Sequence, residues 1–329
     1  MTGRALSAAM VLAAGRGERM RPLSAVLPKP ALPLPEAPVV ASALGLAVKT
    51  GVRRIVVNAW HLKKRMATAV ADLARENVVL SMEDELMGTA GGLALARDRG
   101  LLGDVGSVLI INGDGDFDLD LDAVFERHAR GDDRVTLALL PHPDPVRWSQ
   151  VVLDRSGHVT EIVAPDSSRY CAEAFLYPGV MVVSRSAIDT LPAKPGGIPD
   201  SLWWPALEAG NLGAAVVCGS WHEVGTPSDY LETVMRRLRG GSSVHPSASV
   251  DPSAEVKNSF VGRNATVESG AEINQSVVAE GANVGRGARV DHSVILGEID
   301  VSPNTTVVAQ FLAKPLDSPP SSVGSSRIA

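Results

Sequence analysis

Two glycines, Gly15 and Gly17, sit among four fixed cations: Arg16, Arg19, Arg21 and, inside Pro28-Lys29-Pro30, Lys29. Glycines at this spacing let the backbone turn tightly and bring N–H groups against phosphate oxygens. The guanidinium and ammonium groups offset the charge that builds when an α-phosphate is attacked. The run Val11-Leu12-Ala13-Ala14-Gly15-Arg16-Gly17-Glu18-Arg19-Met20-Arg21-Pro22-Leu23 therefore reads as a nucleoside triphosphate site. It has neither the Gly-Lys-Ser/Thr ending of a Walker loop nor the third glycine of a dinucleotide fingerprint.

Such a loop needs a rigid support. Arg4 followed by the apolar stretch Ala5 to Ala14 has the outline of a secretory signal, but the same residues serve better as a buried strand. That strand delivers Gly15 at its C-terminal end, where open α/β sheets place ligands. Downstream, Val39 to Thr50, Leu62 to Glu76 and Leu119 to Arg130 read as helices. Between and after them, Arg54 to Asn58, Val78 to Met82, Ser107 to Asn112, Val135 to Leu140 and Val180 to Ser184 read as strands. This alternation predicts a mostly parallel, three-layer, doubly wound sheet. Gln150 to Asp154, the turn at Ser156-Gly157 and Val159 to Val163 read as an inserted hairpin.

From Val244 the texture changes. Aliphatic residues fall at 244, 250, 256, 261, 267, 273, 278, 284, 290, 295, 301 and 307, in steps of six, six and five, so a 17-residue unit repeats. Alanine stands two places before the aliphatic at 248, 254, 265, 271, 282 and 288, with Ser259, Ser276 and Ser293 at the five-residue steps. A coil of this kind buries its aliphatics only against stacked neighbours, which predicts a parallel β-helix of about four coils. Asp317 to Ala329, rich in serine and proline, is expected to be disordered.

At 329 residues and 45% hydrophobic content the chain can bury a large domain and a smaller one. A net charge of −6 gives no footprint for nucleic acid or an anionic membrane. The two cysteines, Cys171 and Cys218, have no zinc-ligand or disulfide-framework spacing, and a reducing cytoplasm fits them.

The opening string resembles the signature of the sugar-1-phosphate nucleotidyltransferases, Leu-Ala-Ala-Gly-x-Gly-x-Arg-Leu/Met-x-Pro-Leu-Thr and then Pro-Lys-Pro. Only Ser24, in place of Thr, departs. The repeats resemble the left-handed hexapeptide-repeat family, and the handedness is implied by that resemblance. The resemblance implies a three-layer Rossmann-like nucleotidyltransferase domain over 1–240, a short left-handed parallel β-helix over 241–312 and a tail over 313–329. It implies transfer of a nucleoside monophosphate from an NTP to a sugar 1-phosphate, giving an NDP-sugar and pyrophosphate. A GDP-mannose type is the first choice, because mannose-1-phosphate guanylyltransferases often pair this domain with such a β-helix.

Residue by residue, the resemblance makes Arg19, Lys29 and Asp114 catalytic. Asp114, in Asn112-Gly113-Asp114, and Glu223, in Trp221-His-Glu223-Val-Gly225-Thr-Pro, stand where the family holds magnesium, Glu223 replacing the family's Asp. Read without the resemblance, the first motif is equally a strand-end turn and the second a turn before a helix at Ser228 to Arg239. Nucleotide binding falls to Leu12, Ala13, Ala14, Gly15, Gly17, Glu83, Gly88 and Thr89. The carboxylate of Glu83 suits the N1–H and N2–H donors of guanine, which favours GTP. The bland reading of that acidic run is a solvated loop entering a helix.

On the sugar side Ser149, Ala164 and Gly179 occupy family positions with changed neighbours. Trp148-Ser149 replaces Tyr-Gly, Val163-Ala164-Pro165 replaces Glu-Lys-Pro, and Tyr177-Pro178-Gly179 replaces Asn-Ala-Gly. The family's phosphate-gripping lysine is thus absent, and Arg147, Arg155, Arg169 and Lys194 are the basic residues to examine in its place. The alternative function is a regulatory or scaffold paralogue that binds nucleotide or NDP-sugar without turnover. An acyltransferase role for the β-helix has little surface for a coenzyme A site, with His245 and His292 its only histidines. The repeats fit oligomer contacts or regulation, so a homo-oligomer is expected.

Overall fold

The computed structural model describes residues 6, 8–144, 146–165, 171, 173–315 and 321–323. Contacts group the chain into two compact units, residues 1–15 with 40–222 and residues 16–39 with 223–329.

The first unit is an α/β sheet. Its strands are β1 (Ala8–Leu12), β2 (Arg54–Ala59), β3 (Val78–Met82), β4 (Ser107–Asn112), β5 (Gly115–Leu119), β6 (Val135–Pro141), β7 (Gln150–Leu153), β8 (Val159–Val163), β9 (Ala174–Leu176), β10 (Val180–Ser184), β11 (Leu212–Val216) and β12 (Gly219–Glu223). Its helices are α1 (Val40–Lys49), α2 (Lys63–Ala71), α3 (Gly88–Asp98), α4 (Asp122–Ala129), α5 (Arg185–Ile188) and α6 (Trp204–Glu208). The main sheet runs β3-β2-β1-β4-β10-β6-β9-β7-β8, with β11 also on β6, while β5 and β12 form a separate ribbon. β1, β2, β3 and β4 are parallel, as the alternation of strands and crossover helices requires.

The sheet as a whole is mixed, because β10 runs antiparallel between β4 and β6. β9 is antiparallel to β6 as well, so after the short link Tyr177-Pro178-Gly179 β10 continues in the direction of β9 along β6. The expected hairpin is β7 and β8, paired from Gln150↔Val163. Its turn is fastened to α4 by Arg127, which donates to the Ser156 carbonyl at 2.7 Å and pairs with buried Asp133 at 2.7 Å. Among the described residues no helix is long and apolar enough to cross a membrane.

In the second unit the 17-residue period becomes a parallel β-helix. Val244, Val261, Val278, Ile295 and Leu312 stack in one sheet, and Val256, Ile273, Val290 and Val307 in another. The corner serines form a ladder: Ser259 Oγ accepts from Ser276 N–H at 3.1 Å, and Ser276 Oγ from Ser293 N–H at 3.0 Å. Each hydroxyl also donates to the carbonyl two residues back, so a buried polar atom at every coil is satisfied. Of the expected tail, Ser321–Val323 is a strand paired with residues 299–301. Residues 316–320 and 324–329 lie outside the described residues.

The segment 16–39 belongs to this unit. Its short turns Glu18–Met20, Leu23–Ala25 and Lys29–Ala31 precede the last helix of the chain, α7 (Pro227–Leu238), by some two hundred residues. Met20, Leu23 and Leu32 share one apolar cluster with Val224, Tyr230 and Val234 and with Phe260, Val277 and Val294 of the β-helix. The Tyr230 hydroxyl donates to the Pro33 carbonyl at 2.6 Å. Thr226 N-caps α7 in a capping box with Asp229, and Pro227 occupies its first turn, which gives Gly225-Thr226-Pro227 a local structural reason. Truncating Phe260, which is buried in that cluster, to alanine should cost about 3–5 kcal/mol of unfolding free energy. Urea unfolding of Phe260→Ala beside the parent measures it; a loss below about 1 kcal/mol would mean the ring is not packed as described.

Candidate functional site

In the first unit the expected residues gather at one edge of the sheet. Leu12 pairs with Asn112 across β1 and β4, and Gly113 N–H donates to the Leu12 carbonyl at 2.8 Å. A Cβ on Gly113 would lie 3.2 Å from Ala13 Cβ, so the residue before Asp114 packs against the end of β1. Gly179 completes the edge: Asn112 N–H donates to its carbonyl at 2.8 Å. A Cβ built on Gly15 would meet nothing within 4 Å, and its φ is not positive, so the fold itself makes no demand for glycine there.

Behind this edge runs a buried relay that the sequence reading did not foresee. Ala13 N–H donates to Asn58 Oδ1 at 2.7 Å, Asn58 Nδ2 donates to Glu83 Oε1 at 2.7 Å, and Met87 N–H donates to Glu83 Oε2 at 3.1 Å. Glu83 is 0% exposed. Both its oxygens are engaged by the chain itself, so a contact from Glu83 to a guanine edge is not part of this arrangement. Gly92 makes room for it, since a Cβ there would lie 2.7 Å from Glu83 Oε1. The relay ties the strand before the glycine loop to the start of α3. Asn58, a lone polar residue near the end of a buried strand, was the available signal.

Gly88 and Thr89 open α3, as an entry loop into a helix would, and they receive another part of the chain. Ile198 N–H donates to Thr89 Oγ1 at 2.8 Å and Ala90 N–H to the Gly196 carbonyl at 3.0 Å. Ser149 and Ala164 flank the paired residues Gln150 and Val163, so they sit together at the open end of the hairpin. Trp148 packs edge-on to Trp221, with ring centroids 5.7 Å apart. The Trp221 Nε1 lies 2.7 Å from where a Gly115 Cβ would be, next in the chain to Asp114.

The second unit carries the cations. Gly17 has φ +62°, a left-handed conformation that favours glycine, and its would-be Cβ lies 3.1 Å from Ser24 Cβ. Ser24, buried, donates from its hydroxyl to the Gly17 carbonyl at 2.8 Å. Serine thus supplies the hydroxyl that the expected threonine would bring. Lys29 is 7% exposed. Arg19 donates to Glu223 Oε1 at 3.1 Å, with side chains 69% and 17% exposed. The Glu223 carboxylate folds over Gly225, where a Cβ would come within 2.9 Å, so the extra methylene of glutamate is accommodated by a glycine.

Among the described residues no group of three His, Cys, Asp or Glu side chains stands ready for a metal. Asp114 in the first unit and Glu223 in the second each carry hard carboxylate oxygens of the kind a small divalent cation takes beside water and phosphate.

A family model described as nucleotidyl transferase matches residues 8–239, and one described as GlmU-like, C-terminal hexapeptide, matches residues 236–311. The mannose-1-phosphate guanylyltransferase catalytic subunit beta of Danio rerio is 26% identical over 263 residues, covering 75% of this chain and 72% of that protein. Mannose-1-phosphate guanylyltransferase 1 of Arabidopsis thaliana is 26% identical over 226 residues, covering 68% of this chain and 62% of that protein. The solved structure of HddC from Yersinia pseudotuberculosis shares the fold, with a TM-score of 0.58 at 21% identity over 70% of this chain and 100% of that one.

The relay has a pH signature. Burial pushes the Glu83 carboxyl above its ordinary value, and the Met87 N–H, the Asn58 amide and the Arg99 charge pull it back only in part. The folded state therefore holds the proton at a pH where the unfolded chain has released it. Stability falls as pH rises from the unfolded value to the raised folded value, and is level above it. Urea unfolding of the parent and Glu83→Gln across pH 4 to 8 should show the parent losing ground to the variant through that window. A difference independent of pH would rule out the buried ionisation.

Proposed function

Because the chain belongs to the nucleotidyl transferase family, we propose that it joins GTP to mannose 1-phosphate, releasing GDP-mannose and pyrophosphate. One observation carries this reading. The Gly113 N–H bond to the Leu12 carbonyl ties the residue before Asp114 to the end of the strand that leads into Gly15, which supports a site for attack on a bound triphosphate there. The names of the relatives from Danio rerio and Arabidopsis thaliana support the choice of guanine and mannose. With Glu83 buried, base selection in this reading rests on the backbone around Leu12 to Gly15 and on Gly88 and Thr89.

In the reaction an oxygen of the sugar phosphate attacks the α-phosphorus. A new P–O bond forms, the bond to the bridging oxygen breaks, and its electron pair leaves with pyrophosphate. Gly15 and Gly17 shape the loop against the triphosphate, while Arg19 and Lys29 offset charge on the phosphoryl oxygens. Asp114 and Glu223 are the carboxylates proposed for magnesium, which when bound neutralises phosphate charge. Ser149, Ala164 and Gly179 face the sugar phosphate. The same reading takes 1–240 as the catalytic domain and 241–312 as the β-helix, in a cytoplasmic homo-oligomer.

Pyrophosphate release should appear with magnesium, GTP and mannose 1-phosphate in a panel of five NTPs and several sugar 1-phosphates. Asp114→Asn and Lys29→Ala should each lower kcat by about 100-fold or more while thermal unfolding shows a folded protein. Retained turnover in both variants would remove the site assignment. Stabilisation by nucleotide without any release would make the chain a binder instead of an enzyme.

A further inference from the structure

We propose that a cleft lined by Arg134, Ser201 and Asn211 is an effector site for a small 2-hydroxy carboxylate, whose binding acts on the segment docked at Gly88 and Thr89. The cleft lies wholly in the first unit. β11 pairs in parallel with β6 from Leu212↔Val135, and β6 runs the same way as β4 because both are antiparallel to β10. Arg134 and Asn211, each just before its strand, therefore stand at the strand ends opposite to Leu12 and Asn112. The effector site and the candidate reaction site are thus two places, one at each edge of the sheet.

The lining sets the chemistry of the ligand. The Arg134 guanidinium gives one N–H to the Ser186 carbonyl at 2.8 Å, and its other N–H groups have no acceptor among the described residues. Asn211 is fixed by its backbone, which donates to the Ala206 carbonyl at 2.9 Å and accepts from Arg134 N–H at 2.9 Å. Its side-chain Oδ1 is buried and has no hydrogen-bond partner among the described residues. A buried acceptor left unmet is costly, so a ligand that brings a donor to it gains that cost back. Ser201 adds a hydroxyl, and Val135, Leu202 and Ala206, all buried, add apolar wall. The cavity of about 40 Å³ has room for about three water molecules, which suits a two- or three-carbon acid and excludes a base or a pyranose ring. A carboxylate meets the guanidinium through paired N–H bonds. The donor for Asn211 is a hydroxyl, because an ammonium would lose its water against apolar walls, beside a cation, with one neutral oxygen to meet it.

The stretch that lines the cleft also reaches the other edge. Pro199–Trp203 forms a single π-helical turn running into α6, a rare geometry that recurs at functional sites. Ser201 and Leu202 of that turn line the cleft. Trp203, the next residue, meets Tyr177 edge-on with ring centroids 4.8 Å apart and donates from its indole nitrogen to Met181 Sδ at 3.4 Å. Just ahead of the turn, Ile198 N–H is held by Thr89 Oγ1, and Gly196 N–H donates to the Met87 carbonyl at 2.9 Å. The fit there is tight, since a Cβ on Gly88 would lie 2.6 Å from the Gly196 carbonyl oxygen. A ligand that bridges Arg134 at the start of β6 to Ser201 fixes the turn to the sheet, and with it the segment 196–198 on the start of α3. Nucleotide binding at Gly88 and Thr89 is then tighter with the effector bound, and by linkage the effector binds tighter with nucleotide.

Calorimetric titration of the full chain with lactate tests this, with propionate, which lacks the hydroxyl, and lactamide, which lacks the charge, as controls. Lactate should bind saturably in the millimolar range and both controls should bind more weakly. Arg134→Ala should weaken lactate about 10-fold or more, the loss expected of a charge-assisted contact, while its unfolding transition shows a folded protein. Asn211→Leu should remove the preference for lactate over propionate. Saturating lactate should lower the Kd of GTP about 5-fold or more in the parent and leave it unchanged in Arg134→Ala. Absence of lactate binding, equal binding of the controls, or equal binding by Arg134→Ala overturns the site. Lactate binding that leaves the Kd of GTP unchanged overturns the effector role. The lactate titrations need neither nucleotide nor turnover, so their failure is distinct from a failure of the GTP-dependent reading.

Discussion

The apolar cluster that joins Met20, Leu23 and Leu32 to Phe260, Val277 and Val294 is the contact on which the cation-bearing segment depends. That segment has only three-residue 3-10 turns of its own, and turns so short have poor hydrogen-bond geometry and little intrinsic stability. Their order comes from what they are packed on. The repeats are therefore more than an appended module: the coils that bury Phe260, Val277 and Val294 also hold Met20 next to Arg19 and Arg21. Ser24, locked to the Gly17 carbonyl inside the same segment, shows how little slack the loop has.

The sheet unit solves the matching problem on its side with polar groups. Glu83 and Asn58 fasten the Ala13 backbone to the start of α3 through three hydrogen bonds in a fully buried setting. A buried carboxylate is costly unless its oxygens are met, and two donors meet this one. The return is geometric, because strand end and helix start are fixed to each other through one carboxyl group.

Much of the architecture was legible in the sequence because it follows from periodic burial. The 17-residue period reappears as the strand register Val261↔Val278↔Ile295, since inward aliphatics can stack only one way. Strands such as Val78–Met82 and Ser107–Asn112 were bounded as read, because an apolar run ending in a turn leaves few choices. The antiparallel course of β10 was not legible, as strand direction depends on the partners that folding brings alongside, here β4 and β6, and not on the strand's own residues. Nor was the grouping of residues 16–39 with the β-helix, which depends on contacts more than two hundred positions apart. The chemistry at Asn58 and Trp221 was hidden for the same reason: each acquires meaning only through the neighbour that folding brings to it.

The sugar side shows why a missing motif residue is weak evidence for a missing function. A phosphate responds to charge at a point in space, and a hairpin brings two separate stretches of sequence to that point. With Gln150 paired to Val163, the residues before one and after the other share a location although they are far apart in the chain.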